Sequence, residues 1–215
     1  VFNADFYPTP GHIISKMLGY ISKDAQNFLE PSAGKGDIAD RIKGMNSYHG
    51  GHRKVDVIES EPELCKILQG KDHPIVGYDW LEYAGVSYYD AILMNPPFSA
   101  GDKHLLKAWD FLHDGEIVCL LNSETLANPC TVDRQRLAAI VAANGKTEDL
   151  GQCFKTAERK TAVSVTLVYL RKVAEPEDAA MWARLTAEKE HAIEEDAESM
   201  LATRDELGNM QHYYD

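Results

Sequence analysis

The sequence contains no CxxC pair. Its four cysteines, at 65, 119, 130 and 153, stand apart from one another and at no metal-finger spacing from the eight histidines. That pattern argues against a zinc module and a disulfide scaffold and fits reduced thiols. No apolar run reaches the ~20 residues a membrane-spanning helix requires. A signal-peptide pattern is also missing, so no membrane partner is expected; the chain opens on Val1, as a processed or trimmed start would. No GK[ST] follows a glycine run, which rules out a Walker phosphate loop.

Positive charge is scarce as well: 22 Lys and Arg stand against 34 Asp and Glu, a net charge of −12. The deficit is uneven. Residues 176–215 carry eleven acids and three bases, whereas the other 175 residues carry 23 acids and 19 bases. The body is therefore mildly acidic, and a local basic face could still meet phosphate.

What is present is an ordinary globular composition, 44% hydrophobic and 26% charged over 215 residues, enough to bury a core. Helix-like and strand-like stretches alternate. Apolar residues at 13, 14, 17, 18 and 21 have helical spacing, as do 62–70, 103–113 and 131–144. Segments 26–30, 54–60, 73–79, 89–95, 116–122, 147–154 and 162–170 read as strands. Alternation of this kind predicts an α/β, doubly wound Rossmann-like sheet of about seven strands, mostly parallel. The last two strands have no helical segment between them, so an antiparallel pair is expected at one end. Two domains are expected: a catalytic domain over 1–175, and an acidic, Ala- and Glu-rich helical extension over 176–215.

Each chemical motif falls at a strand end, where such sheets bind ligands. The first is "NFLEPSAGKGDIADRI", a strand ending in Glu30, a turn with Ala33, Gly34 and Gly36, then a helix. Glycines allow close backbone approach, and a helix start offers N–H donors; an ordinary tight turn would read the same. Glu59 lies 23 residues past Gly36, near the spacing of ~20 for an acid on ribose hydroxyls. Alone it reads as a capping residue; beside the glycine loop it reads as a ribose ligand. Asp79 and Trp80 end the third strand, and a carboxylate beside an aromatic ring suits a purine with an exocyclic amine.

The fourth strand runs into Asn95-Pro96-Pro97-Phe98. The Asn95 side chain offers a carbonyl acceptor, and Pro96 offers a C=O with no N–H. The prolines fix the backbone so that both acceptors converge on one spot, which suits a planar amine with two N–H donors. Phe98 supplies a ring for stacking. Accepting the amine's hydrogens favours its nucleophilic form as charge develops.

"NPPF" and "EPSAGKG" together resemble the amino-methyltransferases that use S-adenosylmethionine. With "FYPTP" at 6–10 placed ahead of the cofactor loop, the order resembles the gamma-type DNA adenine-N6 methyltransferases, over residues 5 to 172. The resemblance implies a class I methyltransferase fold and S-adenosylmethionine as cofactor. It implies that Tyr7, Thr9 and Pro10 flank the methionine moiety, and that Glu30, Ala33, Gly34 and Gly36 form the cofactor loop. Glu59 would bind the ribose, and Asp79 and Trp80 the adenine. Asn95, Pro96, Pro97 and Phe98 would form the catalytic motif, with Asn95 also bordering the cofactor. The target adenine must be flipped out of a duplex or lie in a single strand.

One departure stands out. A gamma-type enzyme usually carries a target-recognition domain after the catalytic one, and no basic module follows residue 175 here. Recognition is then expected from a partner subunit or a region outside this chain, with Lys155, Arg159 and Lys160 as local phosphate contacts. The expected setting is the cytoplasm of a prokaryotic or phage-infected cell. Other planar amines (cytosine N4, a ribosomal RNA base, a protein glutamine) and a non-catalytic subunit of a methyltransferase complex are the alternatives.

Overall fold

Ala91, Ile92, Leu93 and Met94 form strand β4 and are all fully buried. The reason is period-2 geometry. Ala91 and Leu93 point into one hydrophobic cluster, Ile92 and Met94 into another on the opposite face of the sheet. The Ile92, Leu93 and Met94 side chains each contribute roughly 1.5–3 kcal/mol by leaving water.

The structure is a computed structural model that describes residues 7–45, 52–154 and 163–174. By contacts the chain divides into Val1–Val173 and Ala174–Asp215, and every element below belongs to the first unit. In chain order these are α1 (Gly11–Leu18), β1 (Asn27–Glu30), α2 (Asp37–Lys43), β2 (Lys54–Ile58), α3 (Pro62–Gly70), β3 (Ile75–Gly77) and β4 (Ala91–Met94). They continue with α4 (Gly101–Phe111), β5 (Gly115–Asn122), α5 (Glu124–Ala127), α6 (Val132–Asn144), β6 (Gly145–Gly151) and β7 (Val165–Lys172).

The seven strands form one sheet in the order β3-β2-β1-β4-β5-β7-β6. The first five pair in parallel, and β7 runs antiparallel to both β5 and β6. This is the doubly wound, mostly parallel sheet with an antiparallel end pair that the alternation of segments predicts. The first cluster gathers Ile13, Ile14, Met17 and Leu18 of α1 with Ile38 and Ile42 of α2 against one face. The second gathers Leu105 and Leu106 of α4 with Leu137 and Val141 of α6 against the other.

Three local differences from expectation have physical reasons. Strand β3 is only three residues long, because it sits at the sheet edge and pairs with β2 alone. The one-turn helix α5 is too short to leave a periodic signal. Helix α1 ends at Leu18, where the Gly19 N–H turns back to the carbonyls of Ser15 and Lys16. The expected extension over 176–215 and the basic residues Lys155, Arg159 and Lys160 lie outside the described residues. No helix among the described residues is long and apolar enough to cross a membrane.

Candidate functional site

Strands β1, β2, β3 and β4 all point their carboxyl ends at one cavity of about 290 Å³. Of the residues singled out in the sequence, Tyr7, Thr9, Glu30, Ala33, Gly34, Glu59, Asp79, Trp80, Asn95 and Pro97 line it. Pro10, Gly36, Pro96 and Phe98 stand next to it without forming its wall.

The glycine turn is held from inside the protein. The Gly34 N–H donates to Glu59 Oε2 at 2.7 Å, and the Ala39 N–H, in the first turn of α2, donates to Glu30 Oε2 at 2.8 Å. Glu30 thereby satisfies one of the helix's orphan donors. These amides face carboxylates, so they form no cradle for a phosphate. Gly36 has φ +83°, and a Cβ there would stand 2.9 Å from Leu68 Cδ2 and 3.3 Å from the His73 ring. Glycine is required at 36 for conformation and for packing on α3, behind the cavity rather than in it.

Glu59 also accepts from the Glu61 N–H at 2.8 Å. Each carboxylate oxygen keeps a further lone pair for a hydroxyl donor. Burial pushes the Glu59 carboxyl above its usual range, and burial pushes Glu30 well above it. Asp79 is exposed at the rim, one oxygen accepting from the Leu81 N–H at 2.8 Å. Trp80, by contrast, is only 2% exposed. Its ring stacks on Tyr83, meets Phe111 edge-on and lies under the Lys107 ammonium, while its Nε1–H donates to the His104 carbonyl at 3.1 Å. Trp80 therefore anchors the cavity wall into the core, with most of its ring already covered.

At the end of β4, Asn95 is tied to the segment that precedes α1. Its Nδ2 donates to the Tyr7 carbonyl at 2.9 Å and to Thr9 Oγ1 at 3.0 Å. Both amide hydrogens are thereby engaged, and Oδ1 is left as a fixed acceptor. Among the described residues no donor reaches the Pro96 carbonyl, whereas that of Pro97 accepts from Ala100 N–H at 3.0 Å. Phe98 stacks on Tyr7, with centroids 5.7 Å apart and planes 19° apart, and Phe154 closes the group edge-on at 5.9 Å from Phe98.

Three features escape sequence reasoning. Five acidic residues (Glu30, Asp37, Glu59, Glu61 and Asp79) line the cavity, and among the described residues no Lys or Arg does. Tyr78 lines it while 64% exposed. His104, on the first turn of α4, also lines it, its Nδ1 3.3 Å from Ser32 Oγ. Only the acid count left a trace in the sequence; Tyr78 and His104 become site residues through the crossing of elements.

No family model matches the chain, and no curated protein sequence matches it. Solved structures do share its fold. A type I restriction-modification system methyltransferase subunit from Streptococcus thermophilus superposes with a TM-score of 0.62 at 17% identity, over 80% of this chain and 46% of that one. A dimethyladenosine transferase from Plasmodium falciparum gives 0.55 at 16% identity, over 77% and 63%. An O-methyltransferase from Bacillus cereus gives 0.54 at 13% identity, over 79% and 84%. The chain thus spans 46% and 63% of the first two neighbours' lengths. The shared feature is the class I methyltransferase fold.

Proposed function

We propose that the chain binds S-adenosylmethionine in this cavity and methylates the exocyclic N6 amine of adenine in DNA. The observation that carries the reading is Asn95, whose two amide hydrogens are held by Tyr7 and Thr9, which leaves Oδ1 as a fixed acceptor at the cavity wall. The Pro96 carbonyl, just behind the wall and reached by no donor among the described residues, would be the second acceptor for one planar amine. Drawing on both amine hydrogens localises the nitrogen lone pair and stabilises the charge that develops there.

The cavity suits the cofactor by its chemistry. S-adenosylmethionine carries a sulfonium and an ammonium cation, and an acidic lining with no Lys or Arg among the described residues favours such a ligand over a phosphorylated nucleotide. Glu59 has lone pairs for a ribose diol, Asp79 accepts at the purine end, and Thr9 and Tyr7 border the remainder. When bound, the cofactor supplies an electrophilic methyl group. A structure of the same fold was solved in complex with S-adenosylhomocysteine.

Adenine reaches the Asn95 acceptors only when flipped out of a duplex or presented in a single strand. Target recognition comes from a partner subunit or a region outside this chain, as the likeness to a methyltransferase subunit suggests. The setting is the cytoplasm of a prokaryotic or phage-infected cell. DNA incubated with the protein and labelled S-adenosylmethionine, then digested to nucleosides, should carry label in N6-methyldeoxyadenosine. Label confined to cytosine N4, to ribosomal RNA or to a protein glutamine would overturn the adenine assignment. Cofactor binding without transfer to any acceptor would favour a non-catalytic subunit.

A further inference from the structure

His104 belongs to no motif, yet its hydrogen-bond neighbours favour one tautomer. It stands on the first turn of α4 and lines the cavity. The Ser32 hydroxyl has one hydrogen, which it donates to the Pro31 carbonyl at 2.8 Å. Ser32 Oγ can then only accept from the imidazole nitrogen 3.3 Å away, so the hydrogen of a neutral ring sits on Nδ1. Nε2 is left as a bare lone pair. Among the described residues nothing donates to it. Burial lowers the His104 pKa against the upward pull of Asp79 and Asp102, so the ring is neutral at neutral pH.

The position of the ring matters as much as its tautomer. Trp80, the residue after Asp79, is bonded to the His104 backbone, so Asp79 and His104 belong to one wall of the cavity. That wall presents two acceptors, a carboxylate and a bare imidazole nitrogen. A ligand edge that fits both must carry two hydrogens on one atom or on neighbours. The 6-amino group of a purine nucleoside does; the 6-oxo group of hypoxanthine would set acceptor against acceptor.

We propose that His104 is a specificity-determining residue for the cofactor, its Nε2 accepting from the 6-amino group of the nucleoside that Asp79 also holds. The proposal rests on S-adenosylmethionine as the ligand and adds to it the selection of adenine over a 6-oxo base. It also makes affinity sensitive to acid. Protonation puts a hydrogen on Nε2, removes the acceptor and adds a cation. The charges that bear on it are Asp79 and Asp102, the cavity acids Glu30, Asp37, Glu59 and Glu61, and Lys103 and Lys107 on its own helix.

The test is calorimetric titration of the full chain with S-adenosylhomocysteine and with S-inosylhomocysteine, which differs at the purine 6-position. The parent protein should prefer the adenine form by about tenfold or more, the scale of one hydrogen bond gained and one mismatch avoided. His104→Leu should lose much of that preference, binding the adenine form more weakly and the inosine form at least as well as the parent does, with the remaining preference set by Asp79. His104→Gln, which retains an acceptor, should keep part of it. Ser32→Ala, which frees the tautomer, should fall between parent and His104→Leu. Preference in the parent should also shrink as acid protonates His104, at a pH below the ordinary imidazole range, and this arm needs no variant. Equal loss of both ligands in His104→Leu, unchanged preference in that variant, or no preference in the parent would overturn the proposal. Failure of the parent to bind either nucleoside would overturn the cofactor reading itself and this proposal with it.

Discussion

Glu30 illustrates how much one side chain is asked to do. Its carboxyl is buried, holds the first turn of α2 through the Ala39 N–H, and is pushed well above its usual pKa by that burial. A folded-state pKa raised above the unfolded value means the folded protein binds the proton more tightly. The stabilisation is then complete below the unfolded pKa and is lost as pH rises through the folded one. Glu30→Gln keeps an acceptor for Ala39 and removes the charge. Its melting temperature should lie nearest the parent's at pH 4, below the unfolded pKa, and exceed it at pH 8, at about 2–4 °C per kcal/mol for a chain of this size. A Gln variant that melts below the parent at pH 8 would show that the ionised carboxylate stabilises the loop. Thr9→Val is subtler. It removes one of the two anchors of the Asn95 amide, worth about 0.5–1.5 kcal/mol, and should slow methyl transfer several-fold with little effect on S-adenosylhomocysteine affinity in a titration.

At the scale of elements, the turn between β1 and α2 depends on a backbone conformation that side chains disfavour. Gly36→Ala forces a Cβ into the left-handed region and against Leu68 and the His73 ring. The conformation alone costs about 1–2 kcal/mol, and denaturant unfolding should report at least that loss. Because the same turn carries Gly34 and Ala33 into the cavity, ligand affinity should fall as well. This glycine was visible in the sequence, but its purpose was not. Spacing alone suggested close approach to a ligand, whereas the structure gives it close approach to α3. Trp80 shows the same ambiguity. A tryptophan after an aspartate can be a purine platform or a core anchor, and only the arrival of Tyr83, Phe111 and Lys107 around its ring shows how much of it is covered. His104 was hidden for the opposite reason. Within α4 it reads as one more polar position on an amphipathic helix, and it becomes a cavity residue only because α4 crosses beside the β1 turn.

For the whole molecule, the alternation of segments was enough to place seven strands in one sheet with an antiparallel end, since parallel strands need helical crossovers and a hairpin-like pair does not. That topology brings the ends of β1, β2, β3 and β4 to one cavity. A single compact unit thereby joins an acidic cavity to the Asn95 side-chain acceptor. The account stands on the claim that Asn95 holds the target amine rather than merely ending a strand. Its most direct test measures two quantities on Asn95→Ala: methyl transfer to DNA and affinity for S-adenosylhomocysteine. Transfer should fall below detection while affinity stays within a few-fold of the parent, the residual loss reflecting the released Tyr7–Thr9 segment. An Asn95→Ala protein that still methylates DNA at a rate comparable to the parent would contradict the claim.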